Sequence, residues 1–423
     1  MKKIFLLAVA ILCLHVPVCA FHMDEAVSIQ MPDMRFYAVK AVNPLSKGRL
    51  DLLAAGQVKQ DKHHDGLIMA FSITNGTYKE LSREVFRIGP EGGAGNTRIR
   101  SLVCINEPRT AKSLVVVNGK GGSKNRDVGF VRSYVFDNAF KLVDSIEFAD
   151  PHTSYTHGYP LIDADINGDG KNEIVCGGFS GKKDRDHAEI RFFSIAKDGH
   201  LAPIEGFQAD CLAALQLRVN ALTSGDFDGD GSSEVVAAGR TVEKDMERAA
   251  FALFSDQTLI WKQVNDLGTC RYRCATVTDM TGNGRLELIL GGRMDQGGTS
   301  YGLLDVWEAR NGDVHLISRY RFTGAGATRI RVVEPLPGSS GHLMIGGRQE
   351  VLHHEGMRWM GFLQQMTFES GTLFPCSTPV ILDKDWETRV RAVDIGDHLL
   401  LTAGFTEDKT KTSTAFISVY QLK

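Results

Sequence analysis

Apolar and polar residues alternate in short runs along most of this chain, and clusters of turn residues interrupt the runs at close intervals. One stretch shows the grammar. TRIRSLV (97–103) alternates, SLVVVNG (113–119) is apolar and ends in Gly, and GFVRSYVF (129–136) and KLVDSIEF (141–148) are β-rich runs separated by a polar turn. This predicts four antiparallel strands, A to D. Strand A recurs as LRVNALT from 217, RYRCATV from 271, TRIRVVE from 328 and TRVRAVD from 388, with looser copies at Arg35 and His157. Strand B recurs more strictly: Gly56, Gly119, Gly178, Gly239, Gly292, Gly347 and Gly404 each end an apolar run, at spacings of 63, 59, 61, 53, 55 and 57 residues. Helical periodicity is nearly absent.

Each interval accommodates about four strands with their turns. Seven copies predict an all-β chain folded as a seven-bladed β-propeller of four-stranded antiparallel blades, in which each blade buries its faces only against its neighbours. The approximate blades are 35–88, 97–149, 157–209, 217–268, 271–323, 328–383 and 388–423, the last joined by 24–31. The final unit stops at AFISVYQL (415–422), which matches strand C, while EAVSIQM (25–31) resembles the strand D run LVDSIEF. The N-terminal strand is therefore expected to close the last blade and pair an otherwise exposed edge. A single propeller over 21–423 replaces the two or three domains that a length of 423 residues would suggest.

Composition narrows the function. Hydrophobic residues make up 43% of the chain, enough for an extensive core, and the formal net charge of -3 argues against a nucleic-acid footprint. Residues 1–20 have the form of a signal peptide: Lys2 and Lys3, an apolar run from Ile4 to Leu14, then Val18 and Ala20 in a small-residue cleavage pattern. That run is shorter than the roughly 17 to 25 residues needed to cross a bilayer, and no later segment approaches this length. A secreted or periplasmic monomer with no membrane span is expected.

Beyond the signal, six cysteines remain: Cys104, Cys176, Cys211, Cys270, Cys274 and Cys376. Sequence does not choose among their connectivities. Cys176, inside EIVCGG, reads as a buried thiol, and Cys211 with Cys270 is the candidate bridge. Asn75, Gly76 and Thr77 form a glycosylation acceptor in a predicted turn, meaningful only in a glycosylating eukaryote.

The turns between strands A and B carry the chemistry. DINGDGKNE places Asp165, Asn167, Asp169 and Glu173 at positions 1, 3, 5 and 9, with the Lys171 carbonyl at position 7; DFDGDGSSE repeats this with Asp226, Asp228, Asp230, Glu234 and the Ser232 carbonyl. Alternating oxygens around a Gly that permits a sharp turn suit a hard cation, and calcium fits better than magnesium, which demands a tighter octahedron. A third copy, DMTGNGRLE, supplies Asp279, Thr281, Asn283 and Glu287, with two carboxylates replaced by neutral groups. Bare Asp/Asn/Gly turns are the structural alternative. Against it, crowded carboxylates repel one another without a cation. An apolar strand, and no amphipathic helix, follows each loop, which excludes a helical calcium hand.

The phrase D-x-[DN]-x-D-G-x-x-E followed by an apolar strand and Gly-Gly or Ala-Gly resembles the FG-GAP/VCBS repeat, found in the integrin α-chain head and in many secreted bacterial proteins. The resemblance spans essentially the whole mature chain. It implies calcium loops on one face of the disc and ligands on the other. Departures are the replacement of Phe-Gly before strand A by Thr-Arg or a relative, and only two complete loops.

On the opposite face, the opening residues of strand A, Arg98, Arg218, Arg271, Arg329 and Arg389, are expected to gather with Arg35 and His157, and Arg240, Arg293 and Arg348 beyond strand B point the same way. Such a ring suits carboxylate, sulfate or phosphate groups of an anionic glycan or protein. Pairing of each Arg with an acid of a neighbouring blade is the competing reading. His63 with His64 and His353 with His354 lack the third converging ligand of a catalytic zinc. The leading expectation is a non-catalytic, calcium-binding module for an extracellular protein or glycan. A polysaccharide lyase or hydrolase is the alternative, and it would break the repeat symmetry with one cluster of acids or His; only repeated features are visible. A purely structural assembly module is the third.

Overall fold

The structure, a computed structural model, describes residues 23–422 except 44–48, 90–94, 107–111, 124–125, 150–152, 183–184, 205–215, 244, 256–257, 311–312, 324–325, 354–355, 383–386 and 397–398. The signal peptide, Cys211 and His354 lie outside the described residues, so the Cys211–Cys270 bridge and the second His pair do too. Every regular element among the described residues is a β-strand.

The first strand, β1 (Met23–Pro32), lies at the edge of the sheet formed by the last three strands of the chain, and not in the sheet of the strand that follows it. Strands β2 (Met34–Asn43), β3 (Arg49–Gln60), β4 (His63–Thr74) and β5 (Thr77–Phe86) follow as an antiparallel meander. The next eight are β6 (Arg98–Asn106), β7 (Ser113–Ser123), β8 (Arg126–Phe136), β9 (Phe140–Phe148), β10 (Tyr155–Ala164), β11 (Glu173–Lys182), β12 (Arg185–Ile195) and β13 (Leu201–Pro203). They form two such meanders, joined into one eight-stranded sheet by a single parallel bridge between Tyr155 and Asp127.

Two further four-stranded sheets run in sequence order. They are β14 (Arg218–Gly225), β15 (Glu234–Glu243), β16 (Met246–Ser255) and β17 (Thr258–Val264), then β18 (Thr269–Thr278), β19 (Glu287–Gln296), β20 (Thr299–Arg310) and β21 (Asp313–Phe322). β22 (Thr328–Pro335), β23 (His342–His353), β24 (Gly356–Glu369) and β25 (Thr372–Pro375) make the next, with β26 (Val380–Leu382) also on β24. The last sheet has the order β1, β29 (Ser413–Leu422), β28 (Leu399–Glu407), β27 (Glu387–Gly396). Counted by hydrogen bonds among the described residues, the sheets are six. β1 is antiparallel to β29 from Met23 opposite Leu422 to Pro32 opposite Thr414.

Alternation along each strand sends apolar residues to both faces of a sheet, and these meet between successive meanders. One cluster joins Ile68, Phe86 and Phe130, another Val116, Ile174 and Phe193, and a third Phe251, Leu288 and Leu303. The first and last sheets share a cluster as well: Phe36, Leu52 and Phe71 pack with Val27, Ile29, Leu401 and Ile417. Ion pairs Arg35–Glu407 at 2.7 Å and Lys40–Asp394 at 2.8 Å, with Tyr37 edge-on to Phe405, cross the same junction. Burial of each large aliphatic or aromatic side chain contributes about 1.5–3 kcal/mol, so these inter-sheet clusters hold the array together.

Candidate functional site

The innermost strand of every meander bulges at the same place. In β2, Phe36 lies opposite Gly56 and Ala38 opposite Ala55, which leaves Tyr37 as an extra residue. The same slip singles out Arg100, Asn220, Arg273, Arg331 and Arg391, and a slightly longer one frees Tyr159 with Pro160. A bulge adds a residue outside the ladder and re-aims its side chain. All seven of these residues line one central cavity of about 440 Å³.

The recurrent strand B glycine is the other half of this device. A Cβ on Gly56 would collide with the carbonyl oxygen of Arg35, and Gly119, Gly178, Gly239, Gly292, Gly347 and Gly404 stand in the same relation to Arg98, His157, Arg218, Arg271, Arg329 and Arg389. The bulged strand pushes its backbone into the space a side chain would need, so only Gly fits.

Four guanidinium groups therefore share the cavity. Arg100 stacks over Tyr37 and Tyr159 with its Cζ 4.9 and 4.7 Å from the ring centroids, and Arg273 Nη1 donates to Asn220 Oδ1 at 2.9 Å. Arg391 lies 5.8 Å from the Tyr37 centroid. No carboxylate among the described residues forms an ion pair with Arg100, Arg273, Arg331 or Arg391. The buried Nε atoms of Arg100, Arg273 and Arg391 have no hydrogen-bond partner among the described residues.

Burial, reinforced by the Arg391, Arg273, Arg348 and Arg329 charges, pulls Arg331 well below the ordinary guanidinium range. Burial and neighbouring guanidinium groups bring Arg273 down to about 9; burial brings Arg391 to about 10. A guanidinium group keeps its charge in proteins. The Arg100 charge draws the Tyr159 phenol down to about 8 against the opposing effect of burial.

The predicted arginine ring sits one layer out, and it is largely neutralised. Arg218 makes a bidentate contact with Asp186, both distances 2.8 Å; Arg271 and Arg240 pair with Glu247, and Arg389 reaches Glu407 at 2.5 Å. Arg98 donates to Gln57, Arg35 to Glu407, and Arg293 lies 3.1 Å from Asp295. His157 contacts Asp127 at 2.8 Å. Arg329 and Arg348 sandwich toward the Trp359 ring at 4.6 and 4.3 Å. Packing with neighbouring acids is thus the main business of this outer layer. The residues that sequence reasoning missed are the second arginines of the same R-x-R phrases, Arg100, Arg273, Arg331 and Arg391. The repeated R-x-R was their signal, but the bulge that turns the second arginine inward has no residue signature of its own.

At the other end of the cavity lie Lys40, Asp163 and Glu334. Asp394 holds Lys40 and accepts the Ala41 amide at 2.7 Å. Burial pushes the Glu334 carboxyl up to about 7.

The three acidic turns share one backbone conformation. Gly168 and Gly170, Gly229 and Gly231, and Gly282 and Gly284 all have φ between 70° and 94°. The first acid accepts amides of its own loop: Gly170 to Asp165 at 2.8 Å, Gly231 to Asp226 at 3.0 Å, Gly284 to Asp279 at 2.8 Å. The terminal acids Glu173, Glu234 and Glu287 accept the amides of Ile166, Phe227 and Met280. Only in the second turn do three carboxylates converge among the described residues: oxygens of Asp226, Asp228 and Glu234 lie within 4.8 Å of one another. The Glu234 Oε1 atom there is buried without a partner, which fits a hard cation. Asp230 instead accepts the Ser232 amide at 2.7 Å. In the first turn Asn167 donates to Glu173 at 3.3 Å and Lys171 contacts Asp169 at 3.1 Å; in the third, Thr281 takes Glu287 at 3.1 Å and Asn283 accepts the Arg285 amide.

His63 meets the Arg87 guanidinium, a neighbour unsuited to a metal ligand. Cys176 is a buried thiol that accepts from Asn118 Nδ2 at 2.9 Å, and Cys270 is a buried thiol beside the Ala249 amide. Asn75 and Gly76 form the turn between β4 and β5.

Repeated antiparallel meanders around a cavity lined by their innermost strands define a β-propeller. No protein-family model matches the chain, and no curated protein matches it in sequence. Among solved structures it is similar to Sqt1 from Chaetomium thermophilum, at 10% identity and TM-score 0.53, over 95% of this chain and 99% of that one. Sqt1 bound to the N-terminus of the ribosomal protein L10 aligns at 10% identity and TM-score 0.50, over 95% and 100%. The Dos1 propeller aligns at 10% identity and TM-score 0.49, over 94% and 95%. Likeness at this identity is one of fold.

Proposed function

We propose that the chain is a seven-bladed, calcium-binding propeller of FG-GAP/VCBS type, exported from the cytoplasm, that binds an anionic glycan or protein without catalysis. The observation that carries this reading is the set of four cavity arginines with which no carboxylate among the described residues forms an ion pair. Like charges held together in a confined space need an anion, and a ligand supplies one where the protein does not. Seven bulged inner strands, and the antiparallel pairing of β1 with β29, support a seven-bladed ring closed by its N-terminal strand. The signal-like residues 1–20 support export, and a propeller holding the N-terminus of another protein fits a binding role.

Asp226, Asp228 and Glu234 would hold calcium in the second turn, with Asp230 and the Ser232 carbonyl to complete it. Asp165, Asn167, Asp169, the Lys171 carbonyl and Glu173 form the second candidate, and Asp279, Thr281, Asn283 and Glu287 the weakest, because charge count sets affinity. The ion neutralises the acids and stiffens the turn.

The test is an array of anionic and neutral glycans and proteins, probed with residues 21–423 and with its Arg331→Gln/Arg391→Gln variant. Retention on anionic members that the variant loses is the expected result. Retention that ignores both substitutions overturns the arginine reading, and turnover of a bound glycan overturns the non-catalytic one.

A further inference from the structure

The outer and inner arginine layers differ in one respect that bears on the ligand. Around the rim, Asp127, Asp186, Glu247, Asp295 and Glu407 stand beside the guanidinium groups or His157. Inside, the cationic groups come from four separate strands, β6, β18, β22 and β27, and their nearest polar company is Asn220 and the phenols of Tyr37 and Tyr159. Arg100, Arg273 and Arg391 each keep a buried Nε–H without an acceptor among the described residues, as rim arginines such as Arg271 and Arg389 do, but without the rim's carboxylates beside them. An unmet donor beside an unneutralised charge costs more than either alone. The chain repeats this arrangement at four bulges, each made possible by a strand B glycine.

A planar carboxylate offers two oxygens and one negative charge, which one guanidinium fork satisfies. Four guanidinium groups set around an axis call for more oxygens, distributed in three dimensions, and for more charge. We propose that the inner cavity is a binding site for a tetrahedral dianion, a phosphoryl or sulfuryl group, held by Arg100, Arg273, Arg331 and Arg391. This deepens the anionic-ligand reading above and rests on it. Phosphate carries about two negative charges near neutrality and sulfate two, each with at least three terminal acceptor oxygens. The cavity volume of about 440 Å³ falls in the range of small-molecule sites, so the group arrives either free or as the ester of a sugar-sized molecule.

Titration calorimetry and thermal melts at fixed ionic strength test this with inorganic phosphate, inorganic sulfate, glucose 6-phosphate, acetate and chloride. Phosphate and sulfate are expected to bind saturably and raise the melting temperature, whereas acetate and chloride do neither. Tighter binding of glucose 6-phosphate than of phosphate assigns the ester as the source; equal binding assigns the free ion. Arg331→Gln and Arg391→Gln are each expected to weaken binding about tenfold or more. In chloride they are expected to melt no lower than wild type, because each removes an uncompensated charge. Arg83→Gln, on the exposed Glu80 pair of β5, serves as the control and leaves binding unchanged. Acetate binding as tightly as phosphate, or phosphate binding that survives both Gln variants, overturns the proposal. Failure of every small anion while anionic polymers still bind overturns it and leaves the broader reading standing; failure of both classes removes the two together.

Discussion

At the scale of single residues, the strand B glycine and the bulged residue across from it are one unit. Gly239 illustrates this: its missing Cβ is the space occupied by the Arg218 carbonyl, and the next residues along β14 are Val219 and the bulged Asn220. Gly239→Ala is therefore expected to force β14 off its register and to cost roughly 1–3 kcal/mol, as overpacking does, read from urea denaturation. Unchanged stability would mean that the bulge does not depend on glycine. The glycines were legible as a repeat because nothing else can stand there. Their reason was not, since it lies in the backbone of a different strand. The same blindness hid Arg100, Arg273, Arg331 and Arg391. In a regular strand the two arginines of R-x-R share a face and differ little; the bulge separates them, leaving one at the rim, where Arg271 and Arg389 meet carboxylates, and the other at the axis.

Among elements, the inner strands β2, β22 and β27 meet at the acidic end of the cavity, where Lys40, Asp394 and Glu334 come from three different sheets. Asp394 anchors Lys40 and the Ala41 amide across the junction of first and last sheets, and Glu334 is half-buried beside that pair. Burial raises the Glu334 pKa to about 7 from an ordinary value of 4.5, so the folded protein binds this proton more tightly than the unfolded chain. Its contribution to stability is accordingly full below the ordinary value and lost as pH rises through about 7. Glu334→Gln, which mimics the protonated form, should melt like wild type near pH 4 and above it near pH 8. The gap, discounted for the water that reaches the channel, is expected to be about 1–3 kcal/mol. A constant difference across that range would refute the assignment. The acidic turns themselves were readable because Gly170, Gly231 and Gly284 sit where positive φ is required, whereas convergence of Asp226, Asp228 and Glu234 alone depends on side-chain directions that spacing does not encode.

For the molecule as a whole, the decisive contact joins the two ends of the described chain. Every other meander is built from consecutive strands, so its local contacts form early and cheaply; the β1–β29 pair must close a loop of nearly the full chain length, and that entropy is repaid only by what β1 buries. Val27 and Ile29 enter the core shared with Leu52, Phe71, Leu401 and Ile417, while the alternating Glu25, Ser28 and Gln30 face outward or toward solvent. Sequence anticipated this pairing from the resemblance of EAVSIQM to a fourth strand, because a period of two fixes which residues turn inward. Removal of residues 23–32 should cost roughly 3–6 kcal/mol from those two side chains alone and leave the β29 edge open to other chains. The shortened protein is expected to melt lower and to associate as its concentration rises, and a peptide of residues 23–32 should reverse both effects by refilling the edge. Sedimentation and thermal melts at several concentrations decide the point: a shortened chain that stays monomeric and melts with the full-length protein would show that the array of sheets draws its stability from the inter-sheet clusters without this strand.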